Sequence, residues 1–305
     1  IRANRSKPGL MRQHLTCVEA ACAVCGGHAE GAELGSQALT FVPNEVQGGA
    51  YTFAIGTAGS TTLVLQTVLP ALMTTAEPSS VSITGGTHNP YAPTVHFLQR
   101  AFVPLVHRMG PDIAVTLDRH GFFPAGGGQI RVEIRPAARL QPIEIDTGGP
   151  FTRRRAIATV AGLAESIGRR ELSVVRDRLG FTEDEIELHM LDDAIGPGNI
   201  LGIEIERETI TEVFTGFGQR GTSAETVAKR AAGDAMAYLN AGVPVWRHLA
   251  DQLMLPLALA GGGGFRTGPL TDHATTNATV IETFLDVRVH TSVEEDGTTL
   301  VRVHA

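Results

Sequence analysis

Lysine is almost absent from this chain: of its 25 basic residues only Lys7 and Lys229 are lysines. The first lies in RSKPG and the second on the polar face of a predicted helix, so neither is poised as a nucleophile. No glycine is followed by lysine, which excludes a Walker-type phosphate loop. No G-x-G-x-x-G follows an early strand; the one match, GFGQRG at 216–221, lies mid-chain between a predicted strand and a predicted helix and reads as a plain turn. G-x-S-x-G is absent too, which lowers the case for a hydrolase with a nucleophile elbow. Long apolar runs are missing, since glycine, proline or charge interrupts every candidate, LMLPLALAGGGGF included. A bilayer span needs about 20 apolar residues, so no membrane association is expected and the expected compartment is the cytoplasm. The chain opens at Ile1 with no methionine and no signal-like apolar stretch, which reads as a shortened amino end rather than an export signal.

Cysteine is scarce as well. Cys17, Cys22 and Cys25 crowd into LTCVEAACAVCGGH, where a C-x-x-C precedes His28. A zinc or redox site would want a second ligand pair, and none follows. Leu15, Val18, Ala21, Cys22 and Cys25 instead recur every three to four residues, as on the buried face of a helix ending at Gly26-Gly27.

What the chain does contain is 305 residues, 43% of them apolar, enough for a large core and two domains. The net charge of −7 argues against coating long nucleic acid through a broad basic surface. A local site built from arginine, the side chain suited to bidentate phosphate contacts, stays open.

Helix-like and strand-like segments alternate throughout, giving an α/β (α+β) expectation with mixed sheets. Residues 9–25 predict a helix, AELGSQALTFVP and AYTFAIG strands, STTLVLQTVLPALMTT a helix and VSITGG a strand. APTVHFLQRAFVPLVHRMG then predicts a helix and IAVTLDRHGFFPAGGGQIRVEI paired strands. After Gly148-Gly149-Pro150 arginine and glutamate rise: a helix from RRRAIATVAGLAESIG through ELSVVRDRLG, strands GNILGIEIERE and TEVFTGFG, and a helix SAETVAKRAAGDAMAYLN. This block, bounded by GGP and AGVP, has the character of a small inserted domain. The expected division is 1–148, an insert at 149–241, and a return to the large domain at 242–305. That last part predicts a helix VWRHLADQLMLPLALAG, a four-glycine turn, a helix ATVIETFL and two strands joined at Asp296-Gly297. Glycine clusters at 56–60, 125–129 and 260–265 hint at an internally repeated layout. GTAGSTTLVLQ is a candidate anion-binding turn or simply a tight turn that packs closely.

With lysine set aside, a neutral imidazole is the remaining candidate for covalent work near pH 7. His273, in PLTDHATTN between the four-glycine turn and a predicted helix, has Asp272 and Asn277 as possible orienters. A loop histidine bonded to its own backbone is the plain alternative.

Several motifs, in collinear order over essentially the whole chain, resemble the RNA 3′-terminal phosphate cyclases. They are RANRSKPGLMRQHLT at 2–16, EGAELGSQ at 30–37, FAIGTAGSTTLVLQTVLPAL at 53–72, GGTHNPYAP at 85–93, RHGFFPAGGG at 119–128, GPGN at 196–199, HLADQLMLPLALAG at 248–261 and the His273 stretch. The resemblance implies a large domain of repeated βα units with mixed four-stranded sheets and a smaller inserted α/β domain. It implies that the histidine matching His273 attacks the α-phosphate of ATP and carries AMP as a phosphoramidate. An RNA 3′-phosphate end then takes the AMP, and its 2′-OH closes a 2′,3′-cyclic phosphate. Residues implied at the ATP site are His248, Leu249, Ala250, Asp251, Gln252 and Gln66, with Pro93 and Phe97 near the adenine. Many family members carry tyrosine at the place of His248. Arg2, Arg5 and Gln13 match a polar cluster near the phosphates. The resemblance also implies Mg²⁺ or Mn²⁺, held with the help of a glutamate in an EGGGQ segment that does not occur among these residues. No membrane and no stable protein partner are expected. The competing expectations are a non-catalytic RNA-binding or ribosome-assembly scaffold of the same superfamily, and an adenylyltransferase acting on other nucleic-acid ends.

Overall fold

The computed structural model describes residues 1–305, which fall into two compact units. The first comprises residues 1–95, 111–138 and 191–198. It contains α1 (Arg12–Cys25), the antiparallel pair β1 (His28–Glu30) and β2 (Thr40–Val42), β3 (Ala50–Ala54), α2 (Thr61–Leu72), β4 (Ser79–Gly85), β5 (Asp112–Arg119) and β6 (Gly128–Arg135). α1 ends where Gly26 turns left-handed at φ 57°, as the glycine pair predicts. Its buried face runs through Leu15, Ala20, Val24 and Cys25, slightly rotated from the expected one. Of the strand expected over 32–43 only Thr40–Val42 forms, the preceding residues being turns. β3 and β4 are parallel, β4 and β6 antiparallel, giving the mixed order β3-β4-β6-β5. β4 and β6 alternate strictly in burial, so Val81, Ile83, Ile130, Val132 and Ile134 form one apolar face under α2.

The second unit comprises 96–110, 139–190 and 199–305. The helical run that leads into it is α3 (Val95–Phe97), a π turn (Leu98–Phe102) and α4 (Val103–Arg108). Pro104 near the start of α4 lacks an N–H, which removes one i→i−4 donor and accounts for the widened turn ahead of it. Next come β7 (Glu144–Ile145), β8 (Phe151–Ala161), α5 (Ser166–Leu179), β9 (Ile186–Leu191), β10 (Gly198–Arg207), β11 (Thr211–Phe217) and α6 (Ala224–Ala241). The chain closes with α7 (Arg247–Leu259), β12 (Gly262–Thr267), α8 (Asp272–Phe284), β13 (Arg288–Val293) and β14 (Thr299–His304).

Two expectations are corrected here. RRRAIATVAG, expected as helix, is the strand β8, and the helix begins only at Ser166. Ala156, Ala158 and Val160 point to a core while Arg155, Ile157 and Thr159 face the other side, a period of two that the short alanine-rich stretch hides. The four-glycine stretch is not a turn but mostly β12. Its glycines admit a neighbouring backbone: a Cβ on Gly264 would sit 2.4 Å from the Val301 carbonyl oxygen across the β12–β14 ladder. We therefore expect Gly264→Ala to destabilise the protein by about 2 kcal/mol in a denaturant titration, since only backbone movement relieves that clash.

β8–β11 form the order β11-β10-β8-β9, and α5 and α6 cover one face. Leu172, Val175, Leu201, Ile203, Phe214, Ala228, Ala232 and Tyr238 are among the core residues there. The last sheet, β13-β14-β12-β7, repeats the plan of the first: two parallel strands, then the fourth and third strands of the set antiparallel beside them. The β–α–β–α–β–β plan thus recurs, as the glycine clusters suggested. GFGQRG spans the end of β11 and the turn before α6. No helix is long and apolar enough to cross a membrane.

Candidate active site

α7 and α8 bring an imidazole and a carboxylate together. On α7 the apolar residues Leu249, Leu253 and Leu257 recur every four positions and are wholly buried, which fixes the rotation of the helix. Asp251, between them, is nearly buried. Its Oδ1 lies 3.1 Å from Nδ1 of His273, and the His273 side chain is 81% exposed. Oδ1 is buried and accepts no well-aligned hydrogen bond, so this imidazole is its partner. Gln252 Nε2 donates weakly to Oδ2 at 3.5 Å.

His273 is the second residue of α8 rather than a loop residue. Thr271 caps the helix, its Oγ1 accepting the Ala274 N–H at 3.1 Å. The orienters differ from those expected. Asp272 only adds charge to the first turn, and its carbonyl accepts the Thr276 hydroxyl. Asn277 donates its amide to the Asp251 carbonyl at 3.1 Å, tying α8 to α7 and acting on His273 at one remove. The carboxylate beside the histidine is Asp251, brought there by tertiary packing.

The start of α7 is held by a buried network. Glu212 on β11, 2% exposed, accepts the Trp246 backbone N–H at 2.6 Å. Burial pushes its carboxyl up to about 8; the Trp246 N–H opposes the shift and Asp234 adds to it. Asp234 in turn accepts the Trp246 indole N–H at 3.1 Å and pairs with Arg247 at 3.1 Å. His248 follows immediately. Its side chain keeps solvent access, yet partial desolvation holds its pKa below the ordinary imidazole value, with Asp234 opposing and Arg247 reinforcing. Leu249 and Ala250 are fully buried, so their side chains pack α7 into the core. Phe97, on α3, is buried as well.

Comparison with known proteins bears on this arrangement. The family model described as RNA 3′-terminal phosphate cyclase matches residues 1–291. The chain belongs to that family. It is 51% identical over 305 residues to a Pseudomonas fluorescens protein named RNA 3′-terminal phosphate cyclase, covering 100% of this chain and 89% of that one. A protein of the same name from Ectopseudomonas mendocina is 49% identical over 289 residues, 95% of this chain and 84% of its own length. One from Salmonella typhimurium is 47% identical over 303 residues, 99% and 88% of the two chains.

The other residues implied by the cyclase resemblance lie in the first unit, and hydrogen bonds tie two of them, Gln13 and Pro93, to the start of α2. Gln13 Oε1 accepts the Ser60 N–H at 2.9 Å in the GTAGS turn. Ser60 caps α2, and its neighbour Thr62 donates to the Pro93 carbonyl at 2.7 Å. Gln66 sits one turn further along α2, half-buried. Arg2 directs Nη1 to the carbonyls of Lys7 at 2.6 Å and Gly9 at 3.1 Å, shaping its own loop, while Arg5 is exposed. In the same unit His88, an undistinguished turn residue in the sequence, is buried and stacks on His120 with ring centroids 5.1 Å apart. No periodicity signals that pair.

Proposed function

We propose that the chain converts an RNA 3′-terminal phosphate to a 2′,3′-cyclic phosphate using ATP, with His273 as the group that carries AMP. The observation that carries this reading is the Asp251–His273 contact at the start of α8. With Nδ1 turned to a carboxylate, the ring proton is held on Nδ1 and the Nε2 lone pair faces outward as nucleophile. The exposed side chain gives an incoming phosphate access. The first turn of α8 adds free backbone N–H groups and the positive end of the helix dipole, both favourable to a polyphosphate.

Three steps follow. Nε2 attacks the α-phosphorus of ATP, an N–P bond forms, and the P–O bond to pyrophosphate breaks. An oxygen of the RNA 3′-phosphate then attacks that phosphorus, giving an anhydride and restoring the neutral imidazole. Finally the neighbouring 2′-OH loses its proton and attacks the 3′ phosphorus, expelling AMP. The last step is intramolecular, so positioning supplies most of what it requires.

His248 and Gln252 would contact the nucleotide from α7, and Gln66 and Pro93 are assigned to the nucleotide, and Gln13 to the phosphates, on the family resemblance alone. Arg2 and Arg5 are cations assigned to the phosphates by the same resemblance. No three histidine, cysteine or carboxylate groups converge around His273. No step is routed through a metal. The proposed insert at 149–241 has support in the core between β8–β11 and α5–α6, which extends to Val243 and Trp246 just beyond it. Three free thiols suit a reducing cytoplasm.

The test is incubation with ATP labelled at the α-phosphate. An acid-labile, alkali-stable adduct mapping to His273 supports the reading, and label on any other residue overturns it.

A further inference from the structure

Two loops at the carboxyl end of β4 and the closed end of the β5–β6 hairpin, residues 86–94 and 120–127, are built as one piece. The Thr87 N–H donates to the Gly121 carbonyl at 2.9 Å, and the Gly121 N–H donates back to Thr87 Oγ1 at 2.9 Å. His88 stacks on His120, and Phe122 lies against both, with ring centroids 5.8 and 6.1 Å away. His88 and Phe122 are buried. Inside the hairpin, the Gly126 N–H closes the turn on the Phe122 carbonyl at 2.7 Å, and Arg119 Nε donates to the Gly127 carbonyl at 2.6 Å. The base of the cluster is therefore rigid.

Its tips are unlike its base. Tyr91 is fully exposed, at 101%, and Phe123, next to the buried Phe122, is 74% exposed. Tyr91 also has φ 66°, one of only two non-glycine residues in the left-handed region. A bulky side chain is an outlier there, and glycine or asparagine would be the residue of least strain. Neither burial nor backbone preference accounts for an aromatic ring at this position. A rigid base carrying two outward rings is what recognition of unstacked bases uses, because every base offers a π-face.

We propose that Tyr91 and Phe123 are stacking surfaces for unpaired bases of single-stranded RNA. The inference rests on the RNA-end reading above and extends it to bases other than the reacting terminus. Stacking alone is sequence-tolerant, so the platform selects single-stranded over duplex RNA without selecting a sequence. The Arg119 guanidinium, pinned in the same hairpin, supplies a cation for the adjoining phosphodiester.

The experiment measures three things on the same proteins: AMP uptake from labelled ATP without RNA, KM for a short single-stranded RNA 3′-phosphate, and direct RNA affinity by fluorescence anisotropy. For Tyr91→Ala and Phe123→Ala the expected result is about a tenfold rise in KM and in dissociation constant, with AMP uptake unchanged. RNA made abasic throughout its unpaired stretch should weaken the wild type by a similar factor and make both substitutions silent. Tyr91→Gly should keep or raise the melting temperature while weakening RNA binding, a divergence that a purely structural role would not produce. Unchanged RNA affinity in both alanine variants overturns the platform, as does a matching loss of AMP uptake, which would assign the rings to the adenine. The anisotropy arm decides the platform even if the label fails to map to His273.

Discussion

If His273 carries AMP as proposed, His273→Ala is expected to abolish protein–AMP formation and Asp251→Asn to lower its rate by about 10²–10⁴-fold, the range associated with losing a positioned acid–base partner or fixing the wrong tautomer. The asparagine result is the more informative of the two. An amide at position 251 can present its N–H to Nδ1, which forces the ring proton onto Nε2 and removes the lone pair that attacks phosphorus. Asp251→Ala leaves both tautomers accessible and should be less damaging than asparagine. Stability should move the other way. Oδ1 of Asp251 is buried with no aligned hydrogen bond beyond the imidazole contact, so neither substitution should lower the melting temperature by much. Rapid-quench measurement of label uptake at saturating ATP, with melting curves on the same samples, checks both parts. Equal rates for Asp251→Asn and the parent would remove the tautomer argument.

Glu212→Gln should change how stability depends on pH. The Glu212 carboxyl is pushed up to about 8 by burial, far above the carboxylate of an unfolded chain. A group with a raised folded pKa holds its proton in the native state while the unfolded chain releases it. Its contribution is therefore fully present below about pH 4.5 and is lost as pH rises through the folded value near 8. Wild-type stability should fall between pH 5 and 9 by an amount on the order of 4 kcal/mol from this residue. Glutamine keeps an oxygen to accept the Trp246 N–H but carries no titrating proton, so the variant's curve should be flatter and should lie above the parent at pH 9. Urea titrations across that range measure it. A parallel slope in both proteins would place the pH dependence elsewhere. Since Glu212 holds the start of the helix bearing His248 and Asp251, its ionisation should also loosen that turn at high pH.

The sequence by itself determined more of the chemistry than of its geometry. Collinear motifs sufficed to single out His273 and the family, because residue type and order survive without knowledge of packing. Most helices were legible where apolar residues recur every three or four positions, as in α2, α6 and α7, and glycine marked the end of α1 correctly. β8 was not, since alanine and threonine fit either period and its partners β9 and β10 lie beyond any local window. β12 was not, because glycines that read as a turn are there to let the Val301 backbone approach. The partner of His273 belonged wholly to the tertiary structure. Asp272 is adjacent in sequence, but successive residues of a helix point some 100° apart. Asp251 reaches the ring only because the buried leucines of α7 set its rotation and Asn277 ties α8 against it. Sequence names the groups; the packing of two helices decides which carboxylate faces the imidazole, and therefore which nitrogen is free to react.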